Sequence, residues 1–415
     1  MFGSMMQKRR IFFKSSSTLI WLILIIALVL RLLYLIVVVG PNSFPGNIDS
    51  IEHHIIAQNI IQGKGYSMYG NPTAYRAPFL TYLMAALYFI FGEHFVIVRL
   101  SIIVMSIILI WAIYHLSKLI FNSKVGLWAA FLAAIYPHLI FYNARIFTET
   151  PFTLFSLLAM VFFVKFFKTK KVYLLLPVGF FIALAILTRP VGFMLLLFLL
   201  LYLSLRPLSL VNFRNILILT VVVAVFLMPW IVRNYLVFQR FIPVTSQGGV
   251  VLWVSNNHYI AHHPYYHGLY CLYQQLPGAI NLVTPDEISR SQYAYKYCWN
   301  FLKEYPEDIP RLIWSKTFKF WDKKFFTASS RYWIYENFYF IILILSVVGS
   351  YLTIRLRNYK AIYLWMIILA NFIPALIFWA GARVRLPLEP VLIIFCALTL
   401  EQARLWLWQK LDKIF

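Results

Sequence analysis

Long apolar blocks with almost no charge alternate with short polar stretches along nearly all of the 415 residues. About twenty such residues suffice for an α-helix to cross the roughly 30 Å hydrocarbon core of a bilayer. The pattern therefore predicts an all-α polytopic membrane protein with about ten transmembrane helices, at 17–39, 95–118, 125–142, 147–167, 172–188, 190–206, 214–236, 337–356, 360–380 and 386–408. The run from Phe79 to Phe91 is too short to cross and follows Pro78, which predicts an interfacial or re-entrant helix. The first block follows Lys8, Arg9, Arg10 and Lys14, as a signal peptide would. It is too long for a signal peptide's apolar region and has no small-x-small cleavage site, so an uncleaved span is expected.

These blocks divide the chain into three parts. A transmembrane core (1–236) carries a first external loop (40–94), a large external loop region follows (237–336), and further transmembrane helices close the chain (337–415). With the N-terminus inside, Lys118 with Lys124, the lysines at 165–171, Arg206 with Arg214, Arg355 to Lys360, and Lys410 with Lys413 share the inner side. Arg383 and Arg385 break the rule and fall outside. The expected location is the inner (plasma) membrane, with the working face toward the periplasm or cell exterior.

The external stretches hold the unusual chemistry. "GNIDSIEHHI" places Asp49, Glu52, His53 and His54 beside the first span. Ile51, Ile55, Ile56 and Ile60 form a stripe that predicts an amphipathic interfacial helix ended by Gly63 and Gly65. Asp49 as N-cap and Glu52 as its N3 partner would make a capping box, a purely local role. The other reading is a partly desolvated carboxylate whose pKa is raised toward general-base range.

Arg76, in a proline-bounded loop, has no acidic neighbour in sequence and reads as a headgroup-facing residue or a phosphate ligand. Arg145 and Glu149 sit at the external end of two spans. An acid there is expensive unless paired, although a helix N-terminus favours it. Arg189 in "LTRPVG" and the arginines of "GARVRLPLEP" repeat the theme of external cations, readable as headgroup anchors or as ligands of an anion.

In the large loop, Thr284 as N-cap, Pro285 at N1 and the acids Asp286 and Glu287 predict a helix start, and Pro306 a stop. "DIPRLIWSKTFKFWDKKFF" mixes aromatic and basic residues as a membrane-surface helix does. His262, His263 and His267 invite a metal, but Pro264 breaks the helical spacing and no acid is near in sequence.

Composition sharpens the choice of partner. There are 37 Lys and Arg against 14 Asp and Glu, a net charge of +23, yet only 12% of residues are charged. No compact basic domain accompanies the charge, so membrane lipids or a phosphate-bearing lipid are expected and nucleic acid is not. Walker A, GxGxxG, HExxH and CxxC patterns are missing, leaving nucleotide-dependent chemistry without support. Three cysteines make no framework, although Cys271 and Cys298 share the large loop and leave a disulfide open.

The ordered series Asp49, "AQNIIQGKGYS", "PTAYRAPFLTYLMAALYFIFG", "FTETPFTLF", "LTRPVG", "WVSNN", the 286–321 segment and "RVRLPLEP" resembles membrane glycosyltransferases that use polyprenyl-phosphate sugars. These are the protein O-mannosyltransferase-like family (glycosyltransferase family 39) and its relatives that transfer aminoarabinose to lipid A. Where mannosyltransferases show Asp-Glu, this chain has Asp49-Ser50, and where they show Gly-Asn-Asn it has Ser255-Asn256-Asn257. These departures leave the sugar and the acceptor open.

The resemblance implies helical spans around an external cavity, Asp49 as catalytic base and inverting transfer to a hydroxyl of a lipid, glycan or protein. Arg76, Arg383, Arg385 and Arg189 would bind the donor phosphate, and Glu149, Glu52, His53, Asn256 and Asn257 would orient substrate. No nucleotide is needed at this step, and a divalent metal is the one cofactor left open. Glu149 reads first as a sugar ligand, then as an arginine partner, and last as a ligand of a divalent metal. The alternative function is a transporter or flippase of a lipid-linked sugar. Such a protein would show repeated halves or ionisable residues at mid-membrane, whereas here the charges crowd one surface.

Overall fold

The computed structural model describes residues 16–205, 210–264, 267–269, 271, 276, 286–324 and 332–412. Lys8, Arg9, Arg10, Lys14, Arg206, Thr284, Pro285 and Lys413 lie outside the described residues.

In chain order the helices of the first part are α1 (Ser16–Tyr34, extended by a π-helical turn Leu35–Val39), α2 (Ile48–Ile61), α3 (Pro78–Phe91), α4 (Phe95–Ile120), α5 (Ser123–Ile135), α6 (Pro137–Asn143), α7 (Glu149–Thr169), α8 (Leu175–Thr188), α9 (Gly192–Ser204) and α10 (Leu210–Phe238). A lobe follows, made of α11 (Gly248–Trp253), α12 (His258–His262), α13 (Glu287–Glu304) and α14 (Asp308–Trp321). The chain then continues through α15 (Trp333–Arg355), α16 (Ile362–Ile377), a single turn Ala382–Arg385, and α17 (Glu389–Leu411). Strand pairing among the described residues is limited to Ser67–Met68 against Asn71–Pro72, a two-residue hairpin.

Every expected span has helical structure among the described residues. Among the described residues six helices are long and apolar enough, with a seventh span if α5 and α6, bent by 58°, are taken together. The bend has a local cause: Pro137 opens α6, its missing N–H removing one helical bond. Likewise α8 and α9 are 14 and 13 residues long because Arg189-Pro190 interrupts them. At 1.5 Å per residue neither spans roughly 30 Å. The Phe79–Phe91 run forms the short helix expected of it, with Pro78 at N1.

The core is organised around α7, the most buried of the six long helices, which packs against α4 and α8. On the other side α15 lies along α17, and Gly349 allows it: a Cβ there would come within 2.0 Å of the Phe395 carbonyl oxygen. The lobe has its own core, in which α11 and α13 meet around Trp253, Val254, Ala294 and Cys298. Cys271 packs in the same cluster, and the two cysteines are thiols rather than a disulfide.

The amphipathic reading of α2 requires correction. Its buried positions are Ser50, His53, Ile56 and Ala57, whereas Ile51, Ile55 and Ile60 are only half-buried. The helix packs against α3, and a polar histidine is admitted because Thr81 of α3 supplies a hydroxyl 2.6 Å from its Nδ1.

Candidate functional site

The site grows from the first turn of α2. The N-cap is Asn47, not Asp49: its side chain accepts from the Ser50 N–H at 2.8 Å. Asp49 is thereby excused from capping, and Glu52 does not reach back as a capping box requires. Instead Asp49 meets Arg76 at 2.7 Å and Arg383 at 2.6 Å. Glu52 ion-pairs with Nε of the same Arg76. Arg383 Nε in turn reaches Glu149 Oε1 at 2.5 Å, and Arg189 meets that oxygen at 2.5 Å. The result is one continuous chain, Glu52–Arg76–Asp49–Arg383–Glu149–Arg189, in which residues from five separate segments alternate in sign.

Each arginine is aimed by its backbone. Arg76 sits in a loop clamped by the lobe: Thr73 Oγ1 and the Ala74 N–H donate to the two Glu287 oxygens at 2.6 and 2.7 Å. Tyr66 also donates its hydroxyl to the Arg76 carbonyl at 2.9 Å. Arg383 follows Gly381, whose φ of 150° and ψ of 170° belong to a region essentially reserved for glycine. Its guanidinium also lies 4.8 Å from the Phe147 ring centre. Arg189 is placed by the break between α8 and α9.

The electrostatics of Asp49 differ from the expected raised pKa. Burial pushes its carboxyl up, but Arg383 and Arg76 together outweigh burial and hold it below the usual carboxylate range. Burial dominates at Glu52, whose carboxyl is raised despite Arg76. Arg383 is raised because two carboxylates overcome its own burial. His53, one turn behind Asp49, is pushed down to about 3 by burial and then by Arg76, so it is neutral near pH 7.

Exposure separates the members further. Asp49 and Arg383 are 27% and 29% exposed and face the open side, whereas Glu149 is fully buried. Both arginine bonds to Glu149 fall on Oε1, and its Oε2 is buried without a partner.

Beside this chain an apolar groove of about 520 Å³ opens between α3, α8 and α10, lined by Phe79, Tyr82, Leu83, Leu187, Phe226 and Trp230 among others. Pro78 and Leu187 on its wall lie two residues from Arg76 and Arg189. Arg233 stands on its lining and donates to the Tyr66 and Thr73 carbonyls at 2.7 and 2.8 Å. Neither Arg233 nor the Glu287 clamp was evident from sequence. Arg233 sits among apolar residues near the end of a span, a signal that distinguishes it from an anchor only once Trp230 and Tyr66 are seen against it.

Several expected site residues have other duties. Arg385 is fully buried, bonded to Glu389 at 2.9 Å and to the Phe320 and Asp322 carbonyls, and packed 3.6 Å from the Tyr339 ring centre. Its expected phosphate contact is therefore withdrawn: it belongs to an internal cluster with Glu389 and His138. His53 is buried and turned toward Thr81, which overturns a direct contact with substrate. Asn256 accepts from Lys316 Nζ at 2.6 Å and donates to the Leu252 and Ile377 carbonyls. Asn257 caps α12. Both asparagines thus serve the lobe's construction rather than the ion-pair chain. Arg145 packs 3.6 Å from the Phe141 ring centre and donates to Tyr34, apart from Glu149.

The cap of α13 is Asp286, which accepts from the Ile288 and Ser289 N–H groups. The Arg383 guanidinium bridges Asp49 and Glu149, so Glu149 serves here as an arginine partner, the second of the roles expected of it. An acid does approach the lobe histidines after all: Asp308 meets His258 and His262, both at 2.8 Å.

Helices long and apolar enough to cross a membrane, a separate lobe and an alternating ion-pair chain beside an apolar groove define a polytopic membrane protein with a charged cluster next to an apolar groove. Residues 75–232 match the family model described as dolichyl-phosphate-mannose-protein mannosyltransferase. That segment includes Arg76, Glu149 and Arg189 but neither Asp49 nor Arg383. No curated protein matches the chain.

Among solved structures, the archaeal oligosaccharyltransferase AglB from Archaeoglobus fulgidus, in complex with an inhibitory peptide and a dolichol-phosphate, superposes with a TM-score of 0.57 at 15% identity. The match covers 95% of this chain and 52% of that one. The Archaeoglobus fulgidus oligosaccharyltransferase complex with Zn and sulfate gives 0.55 at 16% identity, covering 91% and 48%. ArnT from Cupriavidus metallidurans bound to undecaprenyl phosphate gives 0.47 at 12% identity, covering 93% and 77%. The chain thus spans about half the length of the archaeal enzyme whose fold it shares. The family match and the shared fold bear out the resemblance drawn from the sequence.

Proposed function

We propose that this protein is an inverting glycosyltransferase that moves a sugar from a polyprenyl-phosphate donor to an acceptor hydroxyl. The observation that carries the reading is the alternating chain of carboxylates and arginines beside an apolar groove. A lipid phosphate has this polarity: an apolar tail joined to an anion at the membrane surface. Guanidinium groups bind phosphate bidentately, which suits Arg76, Arg383 and Arg189 to the donor.

In the resting site Asp49 is a weak base because two arginines hold it ionised. A donor phosphate drawing Arg76 and Arg383 toward itself removes that stabilisation and raises the basicity of Asp49. The acceptor oxygen then attacks the anomeric carbon from the face opposite the phosphate, and Asp49 takes the hydroxyl proton. The bond from the anomeric carbon to the phosphate oxygen breaks, and its electron pair leaves on polyprenyl phosphate, stabilised by the arginines. The unpartnered Oε2 of Glu149 is suited to accept from a sugar hydroxyl.

The site is proposed to face the periplasm or cell exterior. Glu149 opens α7 and Lys165 and Lys168 lie near its other end, so the ion-pair chain and this basic cluster occupy opposite ends of a 21-residue helix. Basic loops mark the cytoplasmic side.

The test is sugar transfer by the purified full chain from a panel of polyprenyl-phosphate sugars to membrane-extract acceptors, run beside Asp49→Asn. Transfer by wild type that is lost in a monodisperse variant supports the reading. Equal transfer by both moves the base elsewhere. Movement of the intact lipid-linked sugar across a vesicle membrane, without transfer, would make the protein a flippase.

A further inference from the structure

We propose that the lobe carries a site for a divalent metal of the zinc class, formed by His258, His262 and Asp308. The two histidines lie four residues apart on α12, so one helical turn puts both rings on one side, with ring centres 4.5 Å apart. Asp308, the first residue of α14, brings Oδ2 to His258 Nδ1 and Oδ1 to His262 Nε2, both at 2.8 Å. The three donor atoms lie within 4.8 Å of one another. Tetrahedral zinc, with bonds of roughly 2.0–2.2 Å to imidazole nitrogen and carboxylate oxygen, needs its donors about 3.3 Å apart. Small side-chain movements close that gap.

The surroundings suit a three-ligand site. Asp308 is almost fully buried, whereas the histidine side chains are 53% and 44% exposed. The carboxylate is therefore fixed from the protein side, and the fourth coordination position opens to solvent for a water. Two imidazoles and one carboxylate favour zinc, cobalt or nickel over magnesium or calcium, which prefer all-oxygen shells.

One neighbour opposes the metal and sharpens the test. Arg311 Nη1 lies 3.0 Å from His262 Nδ1. A guanidinium only donates, so this contact makes Nδ1 an acceptor and leaves the His262 proton on Nε2, facing Asp308. Metal binding requires that proton to move to Nδ1, which in turn requires Arg311 to swing away. His258 likewise moves its proton from Nδ1 to Nε2.

The position has a structural consequence. The metal would tie α12 to the start of α14. The same α14 carries Lys316, whose Nζ bonds Asn256 and the Leu376 and Ile377 carbonyls at the end of α16. A metal here would thus brace the lobe against the helix that leads to Gly381 and Arg383. The site is separate from the ion-pair chain, and its metal takes no part in the transfer proposed above.

The experiment uses the full chain in detergent, stripped with a chelator and titrated with Co²⁺, whose tetrahedral complexes absorb visible light. The expected result is saturable absorption displaced by Zn²⁺, with Zn²⁺ raising the unfolding temperature. His258→Ala/His262→Ala should abolish both effects, whereas His263→Ala should keep them. Arg311→Met, which removes the competing donor, should tighten binding about tenfold. Lack of Co²⁺ absorption by wild type, or equal binding by the double variant, overturns the proposal. Unchanged or weaker binding by Arg311→Met, in a monodisperse protein, overturns the proposed ligation through His262.

Discussion

Arg383 Nη2 stands 2.6 Å from Asp49, while its Nε is held from behind by Glu149 at 2.5 Å. A single guanidinium therefore fixes the position of one carboxylate by leaning on another. The second carboxylate is buried, so this anchor has little freedom to move. The arrangement makes separable demands on shape and on charge.

Asp49→Asn is expected to lower sugar transfer by about 10²–10⁴-fold, the usual contribution of a general base. Folding should survive, because Asn47 rather than Asp49 caps α2. Transfer assays paired with size-exclusion profiles check both halves of this expectation. Loss of activity together with aggregation would instead mark Asp49 as structural.

Arg383→Met removes the shared cation and leaves Asp49 and Glu149 facing each other with less compensation. The expected loss is about 2 kcal/mol, between that of an exposed pair and that of a fully buried one. Adding Glu149→Gln to Arg383→Met should restore much of the unfolding temperature but none of the transfer. A double variant that regains activity would mean that Arg383 serves packing alone.

Acid should act on the site in two stages. His53 is depressed from 6.5 to about 3, so below pH 6.5 the unfolded chain binds a proton that the folded chain refuses. Stability then falls as pH drops through that window. Asp49 lies below its usual 3.8, so its contribution is present above that value and is lost only in stronger acid. His53→Gln should flatten the unfolding-temperature profile between pH 6.5 and 4, and Asp49→Asn should leave that window unchanged. A profile that His53→Gln does not alter would place the acid sensitivity elsewhere.

Glu287→Ala cuts both bonds that hold the loop before Arg76. Hydrogen bonds to a charged group contribute about 1.5–3 kcal/mol each, and loss of positioning at this distance is expected to reduce transfer about tenfold. Hydrogen exchange at residues 73–77 should speed up while exchange in α7 does not change. Equal exchange in variant and wild type would show that the clamp does not order the loop.

Much of the charge arrangement was legible in the sequence because this chain uses acids so sparingly. Asp49, Glu52, Arg76, Glu149, Arg189 and Arg383 stand out as charges at the edges of apolar blocks, and the structure brings all six together. Arg385 stood out by the same criterion and lies elsewhere. Only Val384 separates it from Arg383, and whether each points to the open site or to buried Glu389 depends on the turn after Gly381. The capping of α2 was misread because Asn47 and Asp49 are both good caps, and only backbone geometry separates them. Asp308 could not be matched to His258 and His262 from sequence, since their proximity depends on how α14 returns to α12. Among the described residues six or seven helices have the length and apolarity to cross a membrane, because 125–142 is bent at Pro137 and the helices on either side of Pro190 are short.

The ion-pair chain contains three carboxylates and three arginines, so its formal charge sums to zero. A charge-balanced chain of this kind adds little long-range field of its own, so it exerts little pull on a soluble phosphate ester in the bulk. An anion gains only at contact, by taking over arginines that are already partnered. Capture should therefore depend weakly on ionic strength and strongly on how a ligand is delivered. A phosphate confined to the membrane plane by its own tail arrives repeatedly at the groove, whereas the same headgroup free in water must find the site by unguided diffusion. Selection for a lipid carrier would then be a matter of dimensionality as much as of recognition.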